Sequence, residues 1–201
     1  MRRIRIVLLT VVVVLLLASC ASTQVEEPSS IELMELAEIN PDLSDSAWTA
    51  SFYVDNFGSF TDEAYILNES PGVFSNSATN NSYAELKILG EQNAIAFEIS
   101  EYSLGFPVTI SSYERVRIQI QLLDGEVVEL KNTRISNGSK RIVCEDTRSC
   151  SNTYRFYSAL LSSGVVKISI LISSDYSSSS YLFTVSEKGL AEAYRKAYLS
   201  E

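Results

Sequence analysis

From Trp48 onward the chain alternates apolar and polar side chains in short runs broken by tight-turn signals. A period of two puts successive side chains on opposite faces of a strand, so each run reads as a half-buried strand and the series as an antiparallel sheet. Trp48, Ala50, Phe52 and Val54 alternate with Thr49, Ser51, Tyr53 and Asp55. Residues 85–89 and 94–99 are joined across Gly90-Glu91-Gln92-Asn93 as a hairpin, and Val116, Ile118 and Ile120 alternate with Arg117, Gln119 and Gln121. Asp124-Gly125 turns the chain into 127–130, and Asn137-Gly138 joins 133–135 to 141–144. Such pairs favour type I′ turns, in which both central residues need positive φ. Residues 165–172 and 181–185 are two further strands around the serine-rich loop 173–180.

Two helices interrupt the strands. Asn152 or Thr153 is placed to cap a helix over 154–162 that ends at Gly164, and 187–199 puts Leu190, Ala193, Tyr194 and Ala197 on one face. About eight short strands with few helices predict a mostly β fold, an antiparallel β-sandwich or small barrel with two short helices, one of them at the C-terminus. Turn chemistry between Asp55 and Thr61 is expected to end the first strand and tuck Phe57 and Phe60 into the core.

The first twenty residues read as an address. Met1-Arg2-Arg3-Ile4-Arg5 is basic, 6–17 is almost wholly apolar, and Leu17-Ala18-Ser19-Cys20 puts small residues before a cysteine. An apolar run of 12 residues is short of the roughly 20 that span a bilayer core, so a removable signal is the better reading than a transmembrane helix. The pattern resembles the bacterial lipoprotein signal with its lipobox. That resemblance implies cleavage before Cys20, a diacylglyceryl group on its thiol and acylation of the new amine, which together anchor the chain in a lipid bilayer. Ala21, standing where an Asp would retain such a protein, implies outer-membrane delivery. Residues 1–19 are then the signal peptide, 20–47 a polar, flexible tether in which 31–39 can form a short helix, and 48–201 the folded domain.

Losing Arg2, Arg3 and Arg5 with the signal leaves 13 basic against 25 acidic residues and moves the net charge from -9 to -12. Nucleic acid is thereby argued against, because phosphate affinity comes from clustered Lys and Arg. With Cys20 lipidated, Cys144 and Cys150 remain. In an oxidising compartment they are expected to form a disulfide, whose seven-residue loop stabilises by about 2.4 kcal/mol in the chain-entropy model. No metal site or cofactor is expected, since the chain has no histidine, no C-x2-C pair and no phosphate-cradling or dinucleotide motif. The missing histidine also removes Ser-His-Asp and Cys-His catalysis.

Carboxylates are the remaining chemistry. Asp55, Asp62 and Glu63 flank residues 56–61, and Asp124, Glu126 and Glu129 surround the Asp-Gly turn. A glycosidase needs two carboxyls about 5 to 9.5 Å apart in a cleft, a distance that spacing alone does not supply. The first loop is also an alternative calcium site, without EF-hand spacing. The plainer reading of both clusters is a solvated acidic face. Tyr102, Tyr113, Tyr154, Tyr157 and Tyr176 fall in or beside loops and element ends, where amphipathic rings can present a surface to sugars or peptides. Tyrosine is equally a favoured half-buried sheet residue.

Tyr181-Leu182-Phe183-Thr184-Val185 followed by Gly189-Leu190-Ala191-Glu192-Ala193 is similar to the last strand and closing helix of secreted bacterial β-sandwich domains, among them the invasion-associated locus B-like proteins. The resemblance implies a non-enzymatic exported module and brings no catalytic residue with it. The expectation is a membrane-anchored cell-envelope lipoprotein, not an enzyme, with the bilayer and envelope proteins or glycans as partners. A glycan-cleaving enzyme using paired carboxylates is the alternative.

Overall fold

The computed structural model describes residues 47–102, 107–136 and 140–199. The signal segment, Cys20, the tether with its 31–39 helix and the Asn137-Gly138 turn lie outside them.

The strands are β1 (Thr49–Val54), β2 (Phe60–Ser75), β3 (Ser82–Gly90), β4 (Ala94–Glu101), β5 (Arg115–Gln121), β6 (Val127–Leu130), β7 (Thr133–Ile135), β8 (Arg141–Glu145), β9 (Val165–Ser173) and β10 (Ser178–Ser186); the helices are α1 (Asn152–Ser163) and α2 (Leu190–Tyr198). They form one antiparallel sheet in the order β6-β5-β9-β10-β2-β3-β4-β8-β7, with β1 added on β2. The ends of that path meet, because β7 follows β6 after two residues and Thr133 Oγ1 donates to the Val116 carbonyl of β5 at 3.3 Å. The sheet thus nearly closes into a barrel, the second of the two architectures the alternation predicts.

The alternation supplies the interior. Leu86, Ile88, Ile95, Phe97, Ile118, Ile120, Ile168, Ile170, Phe183 and Val185 all point inward and are buried, so the lumen is filled with side chains, as in other small barrels. Outside, Glu69, Lys87, Glu98 and Arg141 stand directly opposite one another on β2, β3, β4 and β8. Lys87 bonds Glu69 at 2.7 Å and Arg141 bonds Glu98. Partly exposed pairs of this kind contribute at most about 1 kcal/mol each. Their larger effect is on register, since a one-residue slip would break every opposite-charge pair and turn the buried face outward.

The longest strand, β2, is the one the sequence pattern hides. Asn68 and Ser70 occupy inward positions, and Pro71-Gly72 reads as a turn. Ser70 Oγ donates to Asn68 Oδ1 at 2.6 Å within the lumen, which satisfies those polar atoms. Pro71 falls between the last β1 partner, Leu67, and the first β10 partner, Gly72, so on that side there is no ladder to interrupt.

β3 pairs β2 only from Ile66 onward, so residues 51–65 continue past β3 as a hairpin, with α2 packed against its base. Here the structure corrects the sequence reading. Asp55 Oδ1 does accept from the Phe57 and Ser59 N–H groups, at 2.8 and 2.9 Å. The tip it closes has no wall behind it, and Phe57 is 93% and Phe60 78% exposed.

Both helices sit at the hairpin's end of the barrel. Ser151, not Asn152 or Thr153, is the N-cap of α1, its Oγ accepting from the Tyr154 N–H at 3.2 Å. Asn152 instead clamps the helix to the wall, accepting from the Lys131 N–H (3.0 Å) and donating to the Lys131 and Glu145 carbonyls (2.7 and 2.9 Å). Gly164 ends α1 at φ +73, as its position predicts. α2 starts three residues later than expected because residues 187–189 form a turn, with the Leu190 N–H donating to the Glu187 carbonyl. Of Asp124-Gly125 only the glycine has positive φ, and the Leu122 N–H donates to the Glu126 carbonyl, so this is a longer glycine-closed loop rather than a type I′ turn.

Candidate functional site

Strand direction sorts the loops into two ends. The helical end carries the β1–β2 hairpin, the β3–β4 and β5–β6 turns, both helices and the entry of the chain at Trp48. The serine end carries the turns 76–81, 111–114 and 174–177. Trp48 pins the entry point, its N–H donating to the Lys188 carbonyl and its Nε1 to the Ser186 carbonyl, both at 2.9 Å.

A cleft of about 690 Å³ lies at the helical end, between the hairpin, the β3–β4 turn, the end of β8 and α2. It brings together Asp62 and Glu63, which the sequence singles out, with Glu91, Glu145 and Asp146, which it does not; Asp55 stays in the hairpin turn. Three of these acids have structural partners. Glu91 accepts from the Tyr53 hydroxyl; burial and then this bond push the phenol upward. Glu145 pairs with Arg134, which holds its carboxyl below the usual range.

Asp146 faces α1, its Oδ1 accepting from the Thr153 N–H (2.9 Å) and its Oδ2 from the Ser151 hydroxyl (2.8 Å) and the Thr153 hydroxyl (2.5 Å). Burial opposes its ionisation, but the bonds from Thr153 and Ser151 outweigh that and hold the carboxyl below its ordinary value. Tyr198, on the cleft wall, donates to the Gly90 carbonyl at 2.6 Å, and burial pushes its phenol to about 12. Among the described residues no three acidic or thiol groups come together as a metal site would need. The second turn cluster is likewise occupied, Asp124 accepting from the Glu126 N–H and Glu129 pairing with Arg117.

Because Asp146 satisfies a first-turn N–H of α1, Asp146→Ala should cost about 1–2 kcal/mol at neutral pH. A carboxyl whose folded pKa is depressed contributes fully above its unfolded value, about 4, and loses that contribution as pH falls through the folded value. The difference between wild type and Asp146→Ala in urea unfolding should therefore be full at pH 7 and shrink below pH 4. A difference independent of pH would contradict this account.

A second groove, about 500 Å³, runs between α1 and α2 and is lined largely by apolar atoms of Tyr154, Tyr157, Leu161, Leu190, Tyr194 and Leu199. Comparison with family models, curated proteins and solved structures finds no match to this chain.

The five tyrosines singled out from the sequence do not gather in one place. Tyr154 and Tyr157 are on α1, the first exposed and the second partly buried, with a buried hydroxyl that has no hydrogen-bond partner. Tyr102, Tyr113 and Tyr176 are at the serine end. Tyr102 has φ +59 and lies edge-on to Phe74, ring centroids 5.0 Å apart. The turns bearing Tyr113 and the 99% exposed Tyr176 are joined by Arg115 and Asp175 at 3.4 Å. The sequence offered no signal for Glu91, Glu145 and Asp146, which meet only because β3, β4 and β8 are neighbours in the sheet.

Cys144 points into the barrel from β8, where burial pushes its thiol up to about 12, and Cys150 is buried with its Sγ–H directed at Asn152 Oδ1, 3.6 Å away. Both stand as free thiols in the structure.

Proposed function

We propose that this chain is a lipid-anchored cell-envelope protein, held in the outer membrane by acyl chains on Cys20, whose barrel is a non-enzymatic binding or structural module for envelope proteins or glycans. The observation that carries the non-enzymatic reading is the employment of three of the five cleft acids. Glu91 holds Tyr53, Glu145 holds Arg134 and Asp146 holds the start of α1, and the carboxyls of Glu145 and Asp146 are shifted downward. A general acid for glycan cleavage needs an upward shift. With the lumen filled, partners must be met on the outer surface, where Tyr113 and Tyr176 offer exposed rings on two turns joined by the Arg115–Asp175 pair. The glycan-cleaving alternative is favoured by one observation, the convergence of Asp62 and Glu63 with three further acids in one cleft.

The two readings separate in one experiment with the detergent-solubilised full chain. The expected result is capture of envelope proteins or glycans without turnover of a glycan substrate, and weaker capture by the Tyr113→Ser, Tyr176→Ser double variant. Turnover that disappears in Asp62→Asn, Glu63→Gln would overturn the non-enzymatic reading. Export also bears on the cysteines, for which a Cys144–Cys150 disulfide belongs to the same proposal. Alkylation of the unfolded, non-reduced exported protein should find neither thiol free, and modification of both would refute the bridge.

A further inference from the structure

Among the described residues the exposed apolar side chains are segregated. At the serine end the large exposed hydrophobic residues among those described are all tyrosines, Tyr83, Tyr102, Tyr113 and Tyr176. Among the described residues every exposed Val, Leu or Phe is at the helical end: Val54, Phe57 and Phe60 on the hairpin, Leu123 and Val127 at the β5–β6 turn, Leu161 on α1 and Leu199 after α2. The chain enters the domain at this same end, through Trp48.

We infer that the helical end is a docking surface for a lipid bilayer of zwitterionic headgroups, with Phe57 and Phe60 as the leading insertion residues and Leu123, Leu161 and Leu199 as followers. Three features select this occupant. The apolar side chains are spread over the hairpin, the β5–β6 turn and the α1–α2 groove, and a fluid bilayer can receive scattered protrusions, whereas a protein interface requires a complementary contiguous surface. Asp55, Asp62 and Glu63 accompany the hairpin, so an anionic membrane would repel what the phenylalanines attract. Finally, 27 residues separate Cys20 from Trp48, a span of about 90 Å at full extension; given the proposed anchor at Cys20, on which the inference rests, the apolar end is confined near lipid and weak partitioning suffices. The tyrosine-bearing serine end is then turned away from the membrane, toward soluble partners.

The test places a reporter at each end of the full chain. Phe57→Trp and Tyr176→Trp replace almost fully exposed side chains, and Trp48, the one native tryptophan, supplies a constant background. In acylated protein reconstituted into phosphatidylcholine–phosphatidylethanolamine vesicles, bilayer-embedded brominated lipid should quench Phe57→Trp and shift its emission to the blue while leaving Tyr176→Trp unchanged. The quenching should weaken as anionic lipid is added. Equal quenching at both ends, or none at Phe57→Trp in protein that is acylated and vesicle-bound, overturns the docking surface and leaves the anchor standing. Shielding of Phe57→Trp by extracted envelope proteins without lipid quenching also overturns it, in favour of a protein partner. Absence of acyl chains on Cys20 overturns the anchor instead. Quenching of Phe57→Trp in the unacylated chain at high lipid then supports the surface by itself, and its absence there removes that as well.

Discussion

Replacing Phe156 with Ala should destabilise the barrel by about 3–5 kcal/mol, the range for a fully buried aromatic truncated in a core that relaxes only in part. Phe156 projects from α1 into the helical end, with no solvent exposure. Its ring lies edge-on to Trp48 (6.0 Å between centroids), Phe97 (6.1 Å) and Tyr157 (5.4 Å), so a single side chain joins the chain entry, the β4 wall and the helix. The loss is a large fraction of the roughly 5–15 kcal/mol that keeps a domain folded, and the melting temperature should fall by about 2–4 °C for each kcal/mol in a domain of this size. Leu161 is the internal control. It lies on the outer face of the same helix, 54% exposed, and Leu161→Ala should change stability by no more than about 0.5 kcal/mol. Equal effects of the two substitutions in urea unfolding would mean that α1 does not plug the barrel.

Most of the barrel could be read from the sequence because its strands obey one rule, apolar side chains inward at every second residue. Residues 94–99, 116–121 and 165–172 show this pattern and became β4, β5 and β9. β2 broke the rule where two inward positions are polar and paired with each other, so the pattern failed while the burial did not. The hairpin tip failed in the opposite sense. Phe57 and Phe60 carry the apolar signal of core residues, but whether a wall stands behind a hairpin depends on where the neighbouring strand ends, and β3 ends too early to cover them. The acidic cleft was half legible. Asp62 and Glu63 are adjacent in sequence and stood out; Glu91, Glu145 and Asp146 reach them through strand order, which local spacing does not encode. The five tyrosines were chosen by their position at element ends, a property that both ends of a barrel share, and they accordingly divide between the two.

Gly90→Ala should be destabilising by more than a surface substitution, about 2 kcal/mol or more, and Tyr157→Phe should recover part of the loss. Gly90 ends β3 beneath α1. A Cβ built there would lie 2.0 Å from the Tyr157 hydroxyl oxygen and 2.8 Å from Ile66 Cγ1, closer than real side chains approach. The tyrosine cannot easily withdraw, because its ring is held against Trp48 (6.4 Å), Phe156 (5.4 Å) and Tyr194 (6.0 Å). Its hydroxyl is buried without a hydrogen-bond partner, and a buried unsatisfied hydroxyl costs about 1–3 kcal/mol. Removing that oxygen in Tyr157→Phe alone should therefore leave stability unchanged or raise it by about 1 kcal/mol. In the double variant the nearest clash disappears, the ring carbon that bore the oxygen remains 3.2 Å away and Ile66 still has to shift, so the rescue is partial. The double-mutant cycle should give a favourable coupling of about 0.5–3 kcal/mol between the two sites. Additive effects would place the strain at Ile66 alone and remove the Tyr157 hydroxyl from the account of why this position is a glycine.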